Sequence, residues 1–353
     1  MTPVFYCFNA KITNCNKACL SNIINSLILI MGVVATMVNE TQKNLTAKAI
    51  KNKNGFGNYF RDNWDLYVML APAVVFILIF AYWPMYGVLM AFQNYNPFQG
   101  IMGSPWVGLA HFQRFFGTPT AMRIIINTIM LSVQTLIFTF PAPIFLAIML
   151  HYCISRRFSK IVQTATYFPF FIATVVLVGM MHLFFSPSVG LVNHAIEAFG
   201  GQRIVFMADS AWFRPLYVGS RIWQGTGFAA IIYIAALAGV DPTLYEAASI
   251  DGASKWNRIR HIDIPTIAPT IIIMLILALG QIMNVGFEQV FLMQNPRNTE
   301  VSDIIATYVY RMGLLEGRFS FATAVGLFNS VVNFILLITV NWAARKASST
   351  SLW

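Results

Sequence analysis

Acidic side chains are scarce in this chain: 13 Asp and Glu stand against 23 Lys and Arg in 353 residues, and only 10% of positions are charged. Beside 57% hydrophobic residues and a mean hydropathy of +0.64, that shortage excludes a soluble globule of ordinary composition and predicts an integral membrane protein. The net charge of +10 is then a matter of membrane topology, and no nucleic-acid partner is needed to explain it. Cysteine is equally sparse. Three of the four (Cys7, Cys15, Cys19) fall in the first nineteen residues and Cys153 stands alone, so neither a disulfide framework nor a metal site follows. The chain also lacks any Gly-Lys dipeptide, which excludes the Gly-x4-Gly-Lys-Ser/Thr loop that cradles nucleotide phosphates. There is no His-Glu-x-x-His helix, and His194 with Glu197 is an isolated pair in a loop.

What the chain has is long apolar runs. Six are expected to span the membrane as helices: 67–92, 124–150, 161–185, 213–238, 267–293 and 321–343. The first makes a helix of ~39 Å, enough to cross a bilayer with some tilt. Short connections carry the cations: Arg156, Arg157 and Lys160; Lys255, Arg258 and Arg260; Arg345 and Lys346. The alternate connections spread few cations over longer stretches, so the positive-inside rule places both termini and the segment 241–265 in the cytoplasm. Residues 1–60 read as an N-terminal extension ahead of a six-span domain, 61–353. The extension's apolar run, 23–38, is shorter than the ~20 residues a span needs, and no Ala-x-Ala cleavage site follows it. Three readings stay open: a signal anchor, a monotopic segment, or an upstream extension of the reading frame with initiation at Met31 or Met37. The last is favoured, because a true span here would strand Lys11 and Lys17 outside.

Between the fourth and fifth runs lies a polar stretch, Asp241 to Pro265. Asp241 suits an N-cap and Pro242 the first helical position, predicting a helix to about Asp251. Gly252 permits a turn, and Ser254 is expected to cap a second helix through His261 that stops before Pro265. In that second helix Trp256, Ile259 and Ile262 form an apolar stripe beside the cationic Lys255, Arg258 and His261. One face can rest on lipid or protein while the other is offered to a partner. Ala248 and Gly252, four apart, let another backbone approach closely. Composition alone leaves open an ordinary cytoplasmic loop, and Glu246 a purely structural capping-box partner of Thr243.

The pattern Glu246-Ala247-Ala248, three residues, Gly252, nine residues, then Ile262-Asp263-Ile264-Pro265 resembles the EAA loop of permease subunits of bacterial ATP-binding-cassette importers. The one departure is Ile264 where Leu is usual. Arg61-Asp62-Asn63-Trp64 through Met69-Leu70-Ala71-Pro72, Trp106-Val107-Gly108-Leu109 with Phe112, and Ile222-Trp223-Gln224 are similar to the carbohydrate-uptake branch, nearest its polysaccharide (lipoprotein-like, aldouronate/alginate) type. The likeness covers roughly residue 60 onward. It implies the six-helix core of the type I importer permease, and an energy-coupling role for Glu246, Ala247, Ala248 and Gly252, with Trp256, Arg258 and Pro265 in the same loop. It also implies a second homologous permease, two cytoplasmic ATP-binding subunits that use ATP and magnesium, and an external or periplasmic solute-binding protein. By the same resemblance the chain binds no cofactor, catalyses nothing itself, and sits in a bacterial plasma (inner) membrane. There it passes an oligosaccharide, polysaccharide-derived and either acidic or neutral, by alternating access.

Polar residues inside the runs mark the expected substrate path, since charge at mid-bilayer is costly unless it faces a cavity or a partner. Gln281, Asn284 and Glu288 are spaced three and four, so a continuous fifth helix would carry them on one face. Asn329 and Asn333 are four apart in the sixth run, and Asn127 and Gln134 seven apart in the second. Gln224 opens the fourth, where Arg221 either lines the cavity or pairs with a carboxylate. Trp83, Tyr86, Trp223 and Phe287 offer faces for stacking on sugar rings. The same amides serve equally as glue between helices, a common use in membranes. The rival function is an ion-coupled secondary transporter of sugars, which would ordinarily show an internal repeat and midplane ionisable residues. Neither is evident beyond Glu288. Asp251-Gly252-Ala253 opens the signature of membrane CDP-alcohol phosphotransferases, but the following Ala-Arg and paired aspartates are missing.

Overall fold

A computed structural model describes residues 63–347, which form helices and loops with one isolated bridge between Gln93 and Trp106. The chain divides into two units between Trp83 and Pro84, of which residues 63–83 and 84–347 are described. The expectations for the extension 1–60 and its apolar run lie outside the described residues. In the first unit, α1 (Trp64–Ile77) continues as a π-helical turn, Leu78–Tyr82, and buries no residue. A helix whose residues are apolar on nearly every side is suited to lipid or to another subunit.

The second unit contains α2 (Pro119–His151), α3 (Arg156–Tyr167), α4 (Thr174–Phe184), α5 (Ser210–Ala238), α6 (Pro242–Ile250), α7 (Lys255–Gly280), α8 (Phe287–Met293) and α9 (Phe319–Ala347). Among the described residues five helices, counting Trp64–Phe92, are long and apolar enough to cross a membrane, and six if the bent pair α3–α4 is one span. Three clusters of buried residues hold the unit together. Leu131, Leu177, Phe213, Tyr217 and Val290 join α2, α4, α5 and α8. Phe115, Ile124, Tyr308 and Phe321 join the start of α2 to α9, and Ala147, Ala230, Tyr233, Leu237 and Ile267 join α2, α5 and α7 near the elbow formed by residues 241–265.

Two expected spans are corrected. The run 161–185 is not one helix: α3 and α4 meet at 102°. Pro169 lacks a donor for continuing the helix, and Ile172 and Ala173 are extended. The break is held from outside, where Gln224 Nε2 donates to the Ile172 carbonyl at 2.8 Å and the Phe170 ring stacks on Phe228 at 3.9 Å. With Arg156, Arg157 and Lys160 in its first turns, α3 has the two-faced build of a helix lying along the interface. The run 267–293 is broken as well. α7 ends at Gly280, residues 281–286 are open, and α8 begins at Phe287. Asn333 Oδ1 accepts the Met283 N–H at 3.1 Å, supplying from α9 the partner that the helix no longer provides.

Candidate functional site: an elbow and a polar cavity

The elbow is built largely as its residues dictate. Asp241 accepts the Thr243 N–H at 2.9 Å as the cap of α6, Pro242 occupies the first helical position, and Asp251 ends the helix. That assigns the cap to Asp241 and leaves Glu246 exposed within the helix, not reaching back in a capping box. Gly252 turns the chain at φ +69°, a left-handed conformation that disfavours any side chain. Ser254 then accepts the Asn257 N–H at 3.3 Å. The second helix, however, does not stop before Pro265. It opens into a π-helical turn, Ile259–Asp263, in which the Ile264 N–H reaches back to the Ile259 carbonyl, and runs on as α7. The wider turn accommodates a proline that can neither donate nor fit the ordinary spacing. The elbow is thus rigidly continuous with a membrane helix.

At that junction Asp263 is fully buried, and both carboxylate oxygens are taken by phenols. Tyr152 Oη donates to Oδ2 at 2.7 Å, and Tyr245 Oη to Oδ1 at 2.5 Å. Tyr152 follows α2, Tyr245 lies on α6 and Asp263 on α7, so one side chain ties three segments. Burial and the neighbouring carboxylate push both phenols well above their usual 10.0, so they remain donors through neutral and mildly alkaline pH. Arg258, expected on an outward cationic face, is half-buried and its Nε donates to the Ala253 carbonyl at 3.1 Å, bracing the Gly252 turn. His261 Nδ1 meets its own helix at Asn257 O. What the elbow leaves open is Glu246, Ala247, Ile250 (87% exposed) and Trp256 (69% exposed), with the cations Lys255 and Arg260 beside them, an apolar and charged surface that no described residue covers.

Some residues of the expected path come together by a different route. Gln281, Asn284 and Glu288 do not share a helical face, because the helix breaks between them. The open segment folds back so that Asn284 Nδ2 donates to Gln281 Oε1 at 2.6 Å, while its own Oδ1 accepts from Asn333 at 3.3 Å and Asn329 at 3.5 Å. Four amides thereby form one cluster between the break and α9. Glu288 stays exposed on α8. Gln224 is engaged at the α3–α4 break, and Asn127 is interhelical glue, donating to the Glu300 and Asp303 carbonyls and accepting from Arg214. Trp223 lines a separate, mostly apolar cavity of about 330 Å³ with Met180, Phe184 and Pro215. Trp83 is the exposed last residue of the first unit.

Two further cavities adjoin, of about 220 Å³ and 510 Å³, sharing Thr139 and Arg221. The smaller is lined by Ser132, Thr135, Tyr217, Gln281 and Asn284; the larger by Gln224, Thr226 and the extended residues of the α3–α4 break. Sequence reasoning missed the hydroxyl row of α2. Thr128, Ser132, Thr135 and Thr139 recur at helical spacing, each bonded to the carbonyl four residues back, and the last three turn toward the cavity.

Residues 140–349 match the family described as the inner membrane component of binding-protein-dependent transport systems. The chain belongs to this family. It is 44% identical over 293 residues to Protein LplB of Bacillus subtilis, covering 83% of this chain and 92% of that one. It is 41% identical over 314 residues to the polygalacturonan/rhamnogalacturonan transport system permease protein YteP of the same organism, covering 89% and 94%. Among solved structures it superposes on a chain of a bacterial alginate ABC transporter in complex with alginate pentasaccharide-bound periplasmic protein, with a TM-score of 0.79 and 40% identity over 84% of this chain and 99% of that one. The protein is therefore a multi-pass membrane permease of the type I ABC importer fold, the non-catalytic membrane subunit of an importer. An ion-coupled secondary transporter is set aside.

Proposed function

We propose that this permease forms one half of an oligosaccharide channel, with residues 61–353 as the membrane domain, a second permease as its mate and two ATP-binding subunits docked on the elbow. Both termini and the elbow face the cytoplasm, and a solute-binding protein delivers the sugar at the opposite side. The observation that carries the reading is the elbow itself: Glu246, Ala247, Ile250 and Trp256 are offered outward from a scaffold locked to α7 at Asp263. Closure of an ATPase on that surface moves α6 and α7 as one body and opens the cavities beside Arg221 to the other side. The relatives' printed substrates, polygalacturonan and alginate, support a saccharide cargo. So do the hydroxyls and amides of the cavity, which match sugar hydroxyls.

Gly252→Val or Glu246→Lys should leave the subunit inserted and uptake about tenfold lower per ATP hydrolysed. In the first, a β-branched residue is forced to φ +69° at a cost of roughly 1–2 kcal/mol; in the second, an acidic position on the docking surface becomes basic. Uptake at wild-type level by both variants in reconstituted vesicles would remove the coupling assignment. Asn284→Ala should alter the range or rate of saccharides carried while the ATPase still copurifies. Loss of assembly instead would mean that the amide cluster only joins helices.

A further inference from the structure

We infer that Arg221 recognises carboxylate groups on the cargo, so that the oligosaccharide carried by this permease contains uronate units; this rests on the reading above that an oligosaccharide crosses here. Arg221 is the twelfth of the 29 residues of α5, close to the middle of the span. Its side chain opens to both adjoining cavities. Arginine keeps its charge in proteins and presents five N–H donors in a flat fork that fits a carboxylate with two parallel bonds.

That fork is unspent. Arg203, Arg311 and Arg318 are each met by a carboxylate, whereas among the described residues no ion pair or hydrogen bond engages the Arg221 guanidinium. A cation kept only to join helices would be met as Arg311 is, whose Nη2 lies 2.6 Å from the buried Asp303. The surroundings of Arg221 are neutral instead. Thr135, Thr139, Gln224, Gln281 and Asn284 line the same cavities, and no carboxylate lines either one to repel an anion. A Cβ at Gly286 would lie 3.2 Å from Tyr217 Oη and 3.8 Å from Arg221 Nη1, so the open segment 281–286 runs beside the guanidinium. One fixed cation among hydroxyls and amides is the arrangement that reads an acidic sugar: the guanidinium takes the carboxylate and the neutral groups take the hydroxyls.

The test uses the complete transporter in vesicles, supplied through saturating solute-binding protein with pentagalacturonate or with its uncharged methyl ester. Arg221→Gln should lower pentagalacturonate uptake by about tenfold or more and leave the ester at the wild-type rate. Arg221→Lys keeps the charge but loses the fork and should fall between. Equal pentagalacturonate uptake by wild type and Arg221→Gln overturns the inference, as does equal loss of both saccharides. It is overturned too if Arg221→Gln fails to copurify with the second permease while Arg221→Lys succeeds, because the positive charge then bridges the pair. A wild-type transporter that carries neither saccharide but takes up a neutral oligosaccharide overturns the inference alone, whereas one that takes up no oligosaccharide retained by its solute-binding protein overturns the oligosaccharide reading itself.

Discussion

Asp263→Asn is expected to leave the permease inserted and paired while uptake per ATP hydrolysed falls by about tenfold or more. The substitution barely changes volume, so the fully buried site does not collapse. What changes is the bonding. The carboxylate accepts from Tyr152 on one oxygen and from Tyr245 on the other, whereas an asparagine amide can accept on one side only and turns a donor toward the second phenol. Hydrogen bonds to a buried charge contribute roughly 1.5–3 kcal/mol each, and an orphaned phenol adds its own desolvation cost. The segment after α2, the helix α6 proposed to couple and the membrane helix α7 lose their common tie, so α6 is expected to move under an ATPase without carrying α7. Tyr152→Phe and Tyr245→Phe should each give part of the loss, and the double variant should add little to Asp263→Asn if all three act as one unit. The readout is the ratio of uptake to ATP hydrolysis, which a merely destabilised but working transporter would keep. Wild-type coupling in Asp263→Asn would show the buried carboxylate to be incidental.

The elbow was legible because its signals are local. A capping aspartate, a first-turn proline, a turn glycine and a capping serine each act within four residues, and all four hold in the structure. The rest depended on distant partners. Pro265 reads as a helix stop, but α7 absorbs it in a π-helical turn, an outcome stabilised by Asp263 finding Tyr152 more than a hundred residues away. Hydropathy carried the fifth run straight through 281–286, since it averages over windows longer than the break; the only local hints were Gly280, Asn284 and Gly286. Spacing by three and four then put Gln281, Asn284 and Glu288 on one face of a helix that is not there. Asn284 still reached Asn329 and Asn333 and drew in Gln281, because unsatisfied amides in an apolar bundle gather wherever partners exist. The bend at 172–173 was hidden in the same way, although Pro169 and the basic start of α3 foreshadowed it.

Gly227→Leu is expected to give the largest loss of folded protein of any single change at a helix crossing. A Cβ at 227 would overlap the Thr166 carbonyl, so α5 and α3 touch backbone to backbone. A flexible side chain could swing aside; a carbonyl held in a helix cannot, and α5 must then shift by a whole side chain's width. Overpacking costs typically ~1–3 kcal/mol for small additions, and a leucine here demands more than one methyl's space. The damage also spreads toward the site, because Gln224, one turn back on α5, holds the Ile172 carbonyl at the α3–α4 break beside the larger cavity. Gly227→Ala should therefore lower the melting temperature of the detergent-solubilised protein by several degrees and reduce uptake, and Gly227→Leu should abolish recovery of the folded subunit. Gly225 supplies the control. A Cβ added there, only two residues away, would meet nothing within 4 Å, so Gly225→Ala should melt as wild type does. Equal melting of the Gly227→Ala and Gly225→Ala proteins would show that α3 does not lie against α5 at this crossing.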